Sequence, residues 1–291
     1  MKTIYFYDGL GNQMFQYAFY KKLKKKYKNV YGNLNFYQKN KIHNGYELKK
    51  IFNIDIEKDK KENNFFNGAI KKNIFQRIIN KVLNSLNIIL YIEKWGEKNI
   101  NKIIGKKFIR YYFGWWQSEK YFKDIAAEIK GEFKFQEFKN EKNIDLKNKI
   151  LNSNSISIHV RRGDYLNNIY LGGLTPLSYY ENAIEYILQK VKEPSFYIFS
   201  NDIEWCKQNL KLDYPVYYID WNKGEESFRD MQLMSLCKHN IIPNSSFSWW
   251  GAWLNSNPNK IVIAPQKWFN DCLKWDYSNI VPETWIKIRN Y

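Results

Sequence analysis

Apolar positions change their rhythm along the chain, and the changes mark out elements. Thr3 to Tyr7 is a short apolar run that reads as a strand, and it leads into Asp8-Gly9-Leu10-Gly11-Asn12. Met14, Tyr17, Ala18 and Leu23 then recur at helical spacing, which predicts a helix from about Gln13 to Tyr27. Residues 29–75 are rich in Lys and Asn and read as irregular, residues 76–92 as an amphipathic helix, and Tyr121 to Lys130 as further helical pieces. From residue 151 the pattern becomes regular. Strands are predicted at 155–160, 196–200, 216–220, 240–243 and 261–264. Helices are predicted from Thr175-Pro176, after Asp202, from Glu225 to Lys238 and from Ser246 to Leu254. Strands alternating with helices imply an α/β fold with a parallel sheet and crossovers. The polar stretch Asn140 to Asn154 is the expected boundary, giving domains 1–150 and 151–291, the second the more regular.

Composition narrows the class. With 44% apolar and 18% aromatic residues in 291, the chain has ample core material and is no disordered, fibrous or disulfide-stapled protein. Cys206, Cys237 and Cys272 have no metal-ligand spacing and form no even-numbered framework, which suits a reducing compartment. No apolar run approaches the ~20 residues of a membrane span, and Met1-Lys2 opens no signal peptide, so a cytoplasmic protein is expected.

The net charge of +17 lies wholly in the first half: residues 1–150 hold 32 Lys+Arg against 15 Asp+Glu, and residues 151–291 hold 14 of each. Such a half suits a polyanion or the anionic inner face of a membrane, while the plain alternative is a lysine-rich composition spread over solvated faces. A nucleic-acid-binding protein is the rival this charge suggests, but no nucleic-acid motif accompanies it. Arginine behaves differently. Against 40 lysines there are six arginines, and two of them, Arg161 and Arg162, are neighbours. In a chain that otherwise uses lysine, arginine marks places where a planar fork of donors is needed.

In a parallel α/β sheet, ligands bind beyond the carboxyl ends of the strands, and three polar clusters fall there. His159-Val160-Arg161-Arg162-Gly163-Asp164-Tyr165 places two guanidinium groups, a glycine that permits close approach, and a carboxylate at one strand end. The alternative is a surface ion pair. Asn244-Ser245-Ser246-Phe247 is a strand-to-helix turn, where hydroxyls and free N–H groups form a phosphate nest or simply an N-cap. Arg229-Asp230 is either a helix-surface pair or, through a buried Asp230, an acceptor for guanine. Gly9-Leu10-Gly11 lacks the third glycine of a dinucleotide fingerprint, which argues against a nicotinamide-dependent oxidoreductase, and reads as a tight loop presenting Asn12 and Gln13. Trp115 and Trp116 could stack on sugars or belong to the core. There is no Asp-x-Asp motif, and His43, His159 and His239 are dispersed, so no metal site is expected.

Four ordered motifs are shared with a known family. Gly9-Leu10-Gly11-Asn12-Gln13-Met14-Phe15-Gln16-Tyr17-Ala18, the stretch from Gly114 to Phe122, the stretch from His159 to Tyr165, and Cys237 to Ile241 with Asn244 to Leu254 resemble glycosyltransferase family 11, the bacterial and animal α-1,2-fucosyltransferases. The resemblance implies a GT-B-like fold, two Rossmann-like lobes with a cleft between them, the N-terminal lobe serving the acceptor. It implies inverting transfer of L-fucose from GDP-β-L-fucose to the 2-hydroxyl of a terminal galactose in a surface glycan precursor, as in lipopolysaccharide or O-antigen biosynthesis. No cofactor or metal is implied, and a lipid-linked acceptor would put the enzyme at the inner face of the membrane. Another GDP-sugar fucosyltransferase, α-1,6 or protein O-linked, shares the donor motif and stays open.

By that resemblance Arg161 would hold the β-phosphate and share the catalytic role with Asp164, as weak base or as brace. His159, Arg162, Asp202, Asp230, Asn244, Ser245, Ser246 and Phe247 would form the donor side, with Asp230 reading guanine. Asn12, Gln13 and Trp116 would lie on the acceptor or fucose side. The chain departs from the family pattern at Asp8, where a glycine or small residue is common, at Asn201, which replaces an aspartate, and at Pro243.

Overall fold

A computed structural model describes residues 1–39, 43–58, 90–93, 100–271 and 276–291. These form two compact units, Met1–Phe133 and Lys134–Tyr291. The division precedes the polar stretch 140–154 expected to hold it. That stretch is polar because it carries an amphipathic helix, with Asn143, Leu146 and Ile150 buried and its lysines outside.

The first unit runs β1 (Lys2–Tyr5), α1 (Leu10–Lys26), β2 (Val30–Asn33), α2 (Asn35–Lys39), α3 (Leu48–Phe52), β3 (Leu90–Ile92), α4 (Ile100–Gly105), β4 (Tyr111–Phe113) and α5 (Ala126–Glu132). Its four strands pair in parallel in the order β2-β1-β4-β3. The region 29–75, expected to be irregular, thus holds a strand and two short helices. Their shortness and their polar, lysine-rich surroundings hide them. Of the helix expected at 76–92, residues 90–92 are a strand, and 76–89 lie outside the described residues. Helix α1 starts earlier than its apolar period suggests: Leu10, Gly11 and Asn12 already belong to it, with Gly9 as its N-cap. Buried Met14, Phe15, Ala18 and Phe19 seat it on the sheet, and three lysines in its last turn suit the negative end of its dipole.

The second unit contains α6 (Glu141–Leu151), β5 (Asn154–Val160), α7 (Leu177–Leu188), β6 (Pro194–Ser200), α8 (Ile203–Asn209), β7 (Val216–Ile219), α9 (Phe228–Leu236), β8 (His239–Ile241), α10 (Ser246–Leu254), β9 (Val262–Pro265) and β10 (Ile286–Ile288). Six parallel strands lie in the order β10-β9-β8-β5-β6-β7. Pro176, expected inside α7, is its N-cap residue. Ile156, Ile158 and Val160 of β5 and Phe196 and Ile198 of β6 pack with Tyr179, Ala183 and Ile187 of α7 in one core cluster. β5, β6, β8 and β9 are buried along nearly all their length and read as near-continuous apolar runs, which makes them legible in the sequence, whereas β10, with no buried residue, is not among the expected strands. Cys206 and Cys237 are buried free thiols; Cys272 lies outside the described residues.

Both sheets reverse direction once. From β5 the chain moves outward through β6 and β7, then returns to lay β8 on the other side of β5. From β1 it moves outward to β2, and later lays β4 on the other side of β1. Each reversal opens a crevice beyond the strand ends where the two neighbouring connections part, the usual ligand position in such sheets. Among the described residues no helix is long and apolar enough to cross a membrane.

Candidate active site

The reversal between β5 and β8 gathers most of the donor-side candidates. Strand β5 ends at Val160 and delivers Arg161 and Arg162, while β8 leads through Asn244 and Ser245 to the start of α10. The two connections touch. The Tyr165 hydroxyl donates to the Asn244 carbonyl at 3.5 Å and also bonds the Ser245 side chain. His159, near the end of β5, packs its ring 5.9 Å from that of Phe247.

Each arginine is held by a carboxylate. Arg161 Nη2 meets both oxygens of Asp164, at 2.9 and 3.0 Å, and its guanidinium lies 5.3 Å from the Tyr165 ring centre. Asp164 is therefore placed as a brace for Arg161. Arg162 Nε donates to Asp202 Oδ2 at 3.0 Å, and its guanidinium lies 4.1 Å from the Trp205 ring centre. Asp202 also caps α8, as expected, accepting from Trp205 N at 3.3 Å. Gly163, directly after the two arginines, turns the chain at φ +47, and a Cβ there would stand 2.4 Å from Asn201 Nδ2. Asn201 Oδ1 in turn accepts from Arg162 N at 2.9 Å. Asn201 thus ties the arginine turn to the end of β6.

Helix α10 begins without a side-chain cap on Ser245. Its first-turn N–H groups and positive dipole end are aimed out of the strand end, which suits an anion. Ser246, the first helical residue, is partly exposed there. Around this turn two buried polar atoms lack a partner among the described residues, His159 Nδ1 and Asn244 Oδ1. Such orphans inside a protein call for a ligand or water. Burial, helped by Arg161, pushes the His159 imidazole down to about 3, so it is neutral at physiological pH. Asn244 is otherwise structural, its amide donating to the Leu171 and Trp268 carbonyls.

Asp230 lies in the first turn of α9, whose start is at the same edge of the sheet. It accepts from Asn222 Nδ2 at 2.8 Å, and burial raises its carboxyl to about 7 despite that bond. Arg229 does not join it. Its guanidinium turns to the Gln136 carbonyl and to Gln232 and Glu226, so the adjacent pair in the sequence splits between two environments.

The acceptor-side candidates belong to the first unit and fare unequally. Trp116 is fully buried with its ring stacked 3.9 Å from that of Phe19, so it is core and offers no face to a sugar. Gln13 is equally buried; its amide bonds the Asp8 and Gly45 carbonyls and the Glu47 N–H, which makes it a loop tie. Asn12 stays partly exposed and accepts from Gln117 Nε2 at 2.6 Å. Sequence reading passed over Glu93. It accepts from Trp116 N at 2.8 Å, and burial raises its carboxyl to about 7; it stands alone in its sequence and gives no motif. Tyr165 was also missed as a bridge, although it sits inside the arginine motif. Among the described residues, no group of three or more His, Cys, Asp or Glu is placed to hold a metal ion.

The sequence model for glycosyl transferase family 11 matches residues 1–289. An α-1,2-colitosyltransferase of Escherichia coli is 35% identical over 296 residues, 96% of either chain. The O-antigen biosynthesis glycosyltransferase WbnK of Escherichia coli is 44% identical over 141 residues, 47% of this chain and 45% of that one. Among solved structures, the fucosyltransferase NodZ from Bradyrhizobium superposes with a TM-score of 0.50 at 12% identity, covering 86% of this chain and 92% of that one. That likeness supports the two-sheet α/β fold.

Proposed function

The chain belongs to glycosyl transferase family 11, and from that premise we propose that it is an inverting α-1,2-glycosyltransferase moving a 6-deoxy-L-hexose from a GDP donor to a galactose-terminated glycan. The observation that carries this reading is that Tyr165, whose ring lies against the Arg161 guanidinium, reaches Asn244 and Ser245 at the uncapped start of α10 on the other side of the β5–β8 reversal. A departing nucleoside diphosphate needs counter-charge. A planar guanidinium and a row of first-turn N–H groups supply it in fixed orientation.

In this mechanism the galactose hydroxyl attacks the anomeric carbon as the bond to the diphosphate breaks. The electron pair leaves with the phosphate oxygen, and the hydroxyl proton passes to solvent or a base. Arg161, steadied by Asp164, meets the growing charge on the β-phosphate, and Ser245 and Ser246 add hydroxyl donors. Arg162, fixed by Asp202 and Trp205, holds the turn. Asp230, when ionised, can accept from both N1–H and the exocyclic amine of guanine, and the orphaned His159 Nδ1 finds its partner in the nucleotide. The acceptor is proposed to be an O-antigen-type precursor, for which an anionic lipid surface near the lysine-rich first half is a natural setting.

The donor has two forms to be separated. L-fucose is the first choice on the motifs, and the long match to a colitosyltransferase favours L-colitose, the same sugar without one ring hydroxyl. Purified protein incubated in EDTA with GDP-L-fucose or GDP-L-colitose and a panel of β-galactosides should yield an α-1,2-linked product with one of them, read by mass spectrometry and linkage analysis. A different linkage, or no transfer from either donor, would overturn the reading.

A further inference from the structure

The first unit has a reversal of its own, close to Asn12, where Asp8 also lies. After β1 the chain runs through Tyr7 to Asp8, after β4 it runs through Trp115 to Gln117, and these two connections part between neighbouring strands. Asp8 holds φ +64, a left-handed conformation that a glycine adopts freely and an L side chain adopts at a cost. His43 and Trp116, at φ +56 and +57, are strained in the same way. His43 lies against the loop, since a Cβ on Gly9 would stand 3.3 Å from its imidazole. Three such residues around one strand-end crevice mark a place where backbone strain is kept for a purpose.

The Asp8 carboxyl is aimed rather than loose. Its Oδ2 accepts from Trp115 Nε1 at 2.6 Å, while Oδ1 carries no bond among the described residues. Burial raises its carboxyl from the ordinary value, and the Trp115 bond and His43 favour the charged form. Nearby, Gln117 Oε1 and Tyr7 Oη are buried polar atoms without a partner, on side chains 8% and 5% exposed. Gln117 is bound through its other amide atom to Asn12. A carboxylate oxygen, an amide oxygen and a phenol that want partners at one crevice match a polyhydroxylated ligand, because sugar hydroxyls donate and accept in turn.

We propose that Asp8 is a specificity-determining residue whose Oδ1 accepts a hydrogen bond from a hydroxyl of the acceptor sugar, held at the β1–β4 reversal beside Asn12 and Gln117. The inference rests on the glycosyltransferase reading for the word acceptor, and on the geometry of the first unit for the rest.

The test uses Asp8→Gly, which suits φ +64, and Asp8→Asn, which keeps the shape and the Trp115 bond. Lactose and its monodeoxy analogues are the probes, in two assays: transfer kinetics, and saturation-transfer NMR of the free sugars without donor. In either variant KM for lactose should rise roughly ten- to a hundredfold, the worth of a charge-assisted bond, while kcat stays within about threefold and GDP affinity is unchanged. One monodeoxy analogue, penalised in the wild type, should lose its penalty in Asp8→Gly. Unchanged lactose KM and unchanged discrimination in a variant that melts like the wild type would overturn the assignment. If neither GDP-sugar is transferred yet the NMR signal depends on Asp8, the donor reading fails and the assignment stands. If neither transfer nor an Asp8-dependent signal is seen, both fall.

Discussion

At the scale of single residues, the choice of arginine over lysine is the clearest chemical statement in this chain. Arg161 uses one nitrogen on both oxygens of Asp164 and leaves the rest of its fork open. Lysine at this position would keep the charge and lose the fork, and Asp164 would capture its single ammonium. Arg161→Lys should therefore cost about 1.5–3 kcal/mol of a charge-assisted contact, roughly a ten- to a hundredfold fall in kcat, with the melting temperature little changed. Steady-state kinetics beside a thermal melt checks it; near-normal turnover would remove Arg161 from the centre of the mechanism. The arginines were legible from scarcity alone. Asp230 and Arg229 were legible as a pair but not as partners, because helical neighbours point about 100° apart and burial decides which environment each enters. Trp116 shows the opposite failure: a tryptophan beside a glycine reads equally well as platform or core, and only packing against Phe19 resolves it.

At the scale of elements, the turn after β5 shapes the anion site. Gly163 holds a left-handed φ with Asn201 closely packed against it, and follows the two arginines in the chain. Gly163→Ala combines a strained φ with a steric clash, a cost of about 1–3 kcal/mol, and should move Arg161 and Arg162 together. GDP affinity, measured by calorimetry, is expected to fall at least tenfold, more than the loss in overall stability would explain. Adding Asn201→Ala should relieve the clash and recover part of the binding; no effect in the single variant would mean that the turn is not coupled to the nucleotide. The second sheet was readable where its strands are buried runs between turn residues, and its edge strand β10, with no buried residue, was not read. The first was read less well: β2, β3 and β4 are only three or four residues long, too short to show a period against lysine-rich flanks, and the aromatic core that stabilises them is assembled from distant segments.

At the scale of the molecule, each unit carries an acid whose carboxyl burial raises to about 7, Glu93 in the first and Asp230 in the second. A folded state that binds protons the unfolded chain releases gains stability as pH falls from about 7 toward the ordinary carboxylate range. His159, pushed down to about 3, opposes this below its ordinary value of 6.5, since the unfolded imidazole takes a proton the folded one refuses. Asp8, also raised by burial, adds to the gain and His239, also pushed down by burial, to the loss, so three acids stand against two bases and a net gain remains. Thermal stability should thus rise between about pH 8 and pH 5.5, and Glu93→Gln and Asp230→Asn should each flatten part of the rise in a calorimetric series; a flat profile in the wild type would refute the assignment. In the opposite sense, GDP binding should weaken below about pH 7, where Asp230 takes up the proton that bars it from accepting both guanine hydrogens.

The late return of β8 to the side of β5 has a temporal consequence. Arg161 and Ser246 stand 85 positions apart in the chain, so on a ribosome adding roughly 5–20 residues per second the guanidinium groups emerge several seconds before the helix that completes their nest. Through that interval the middle strand has an open flank, and pairing across such a sequence distance is slow. On the proposed reading, the nascent chain cannot grip a nucleotide until α10 has followed β8 into place beside β5.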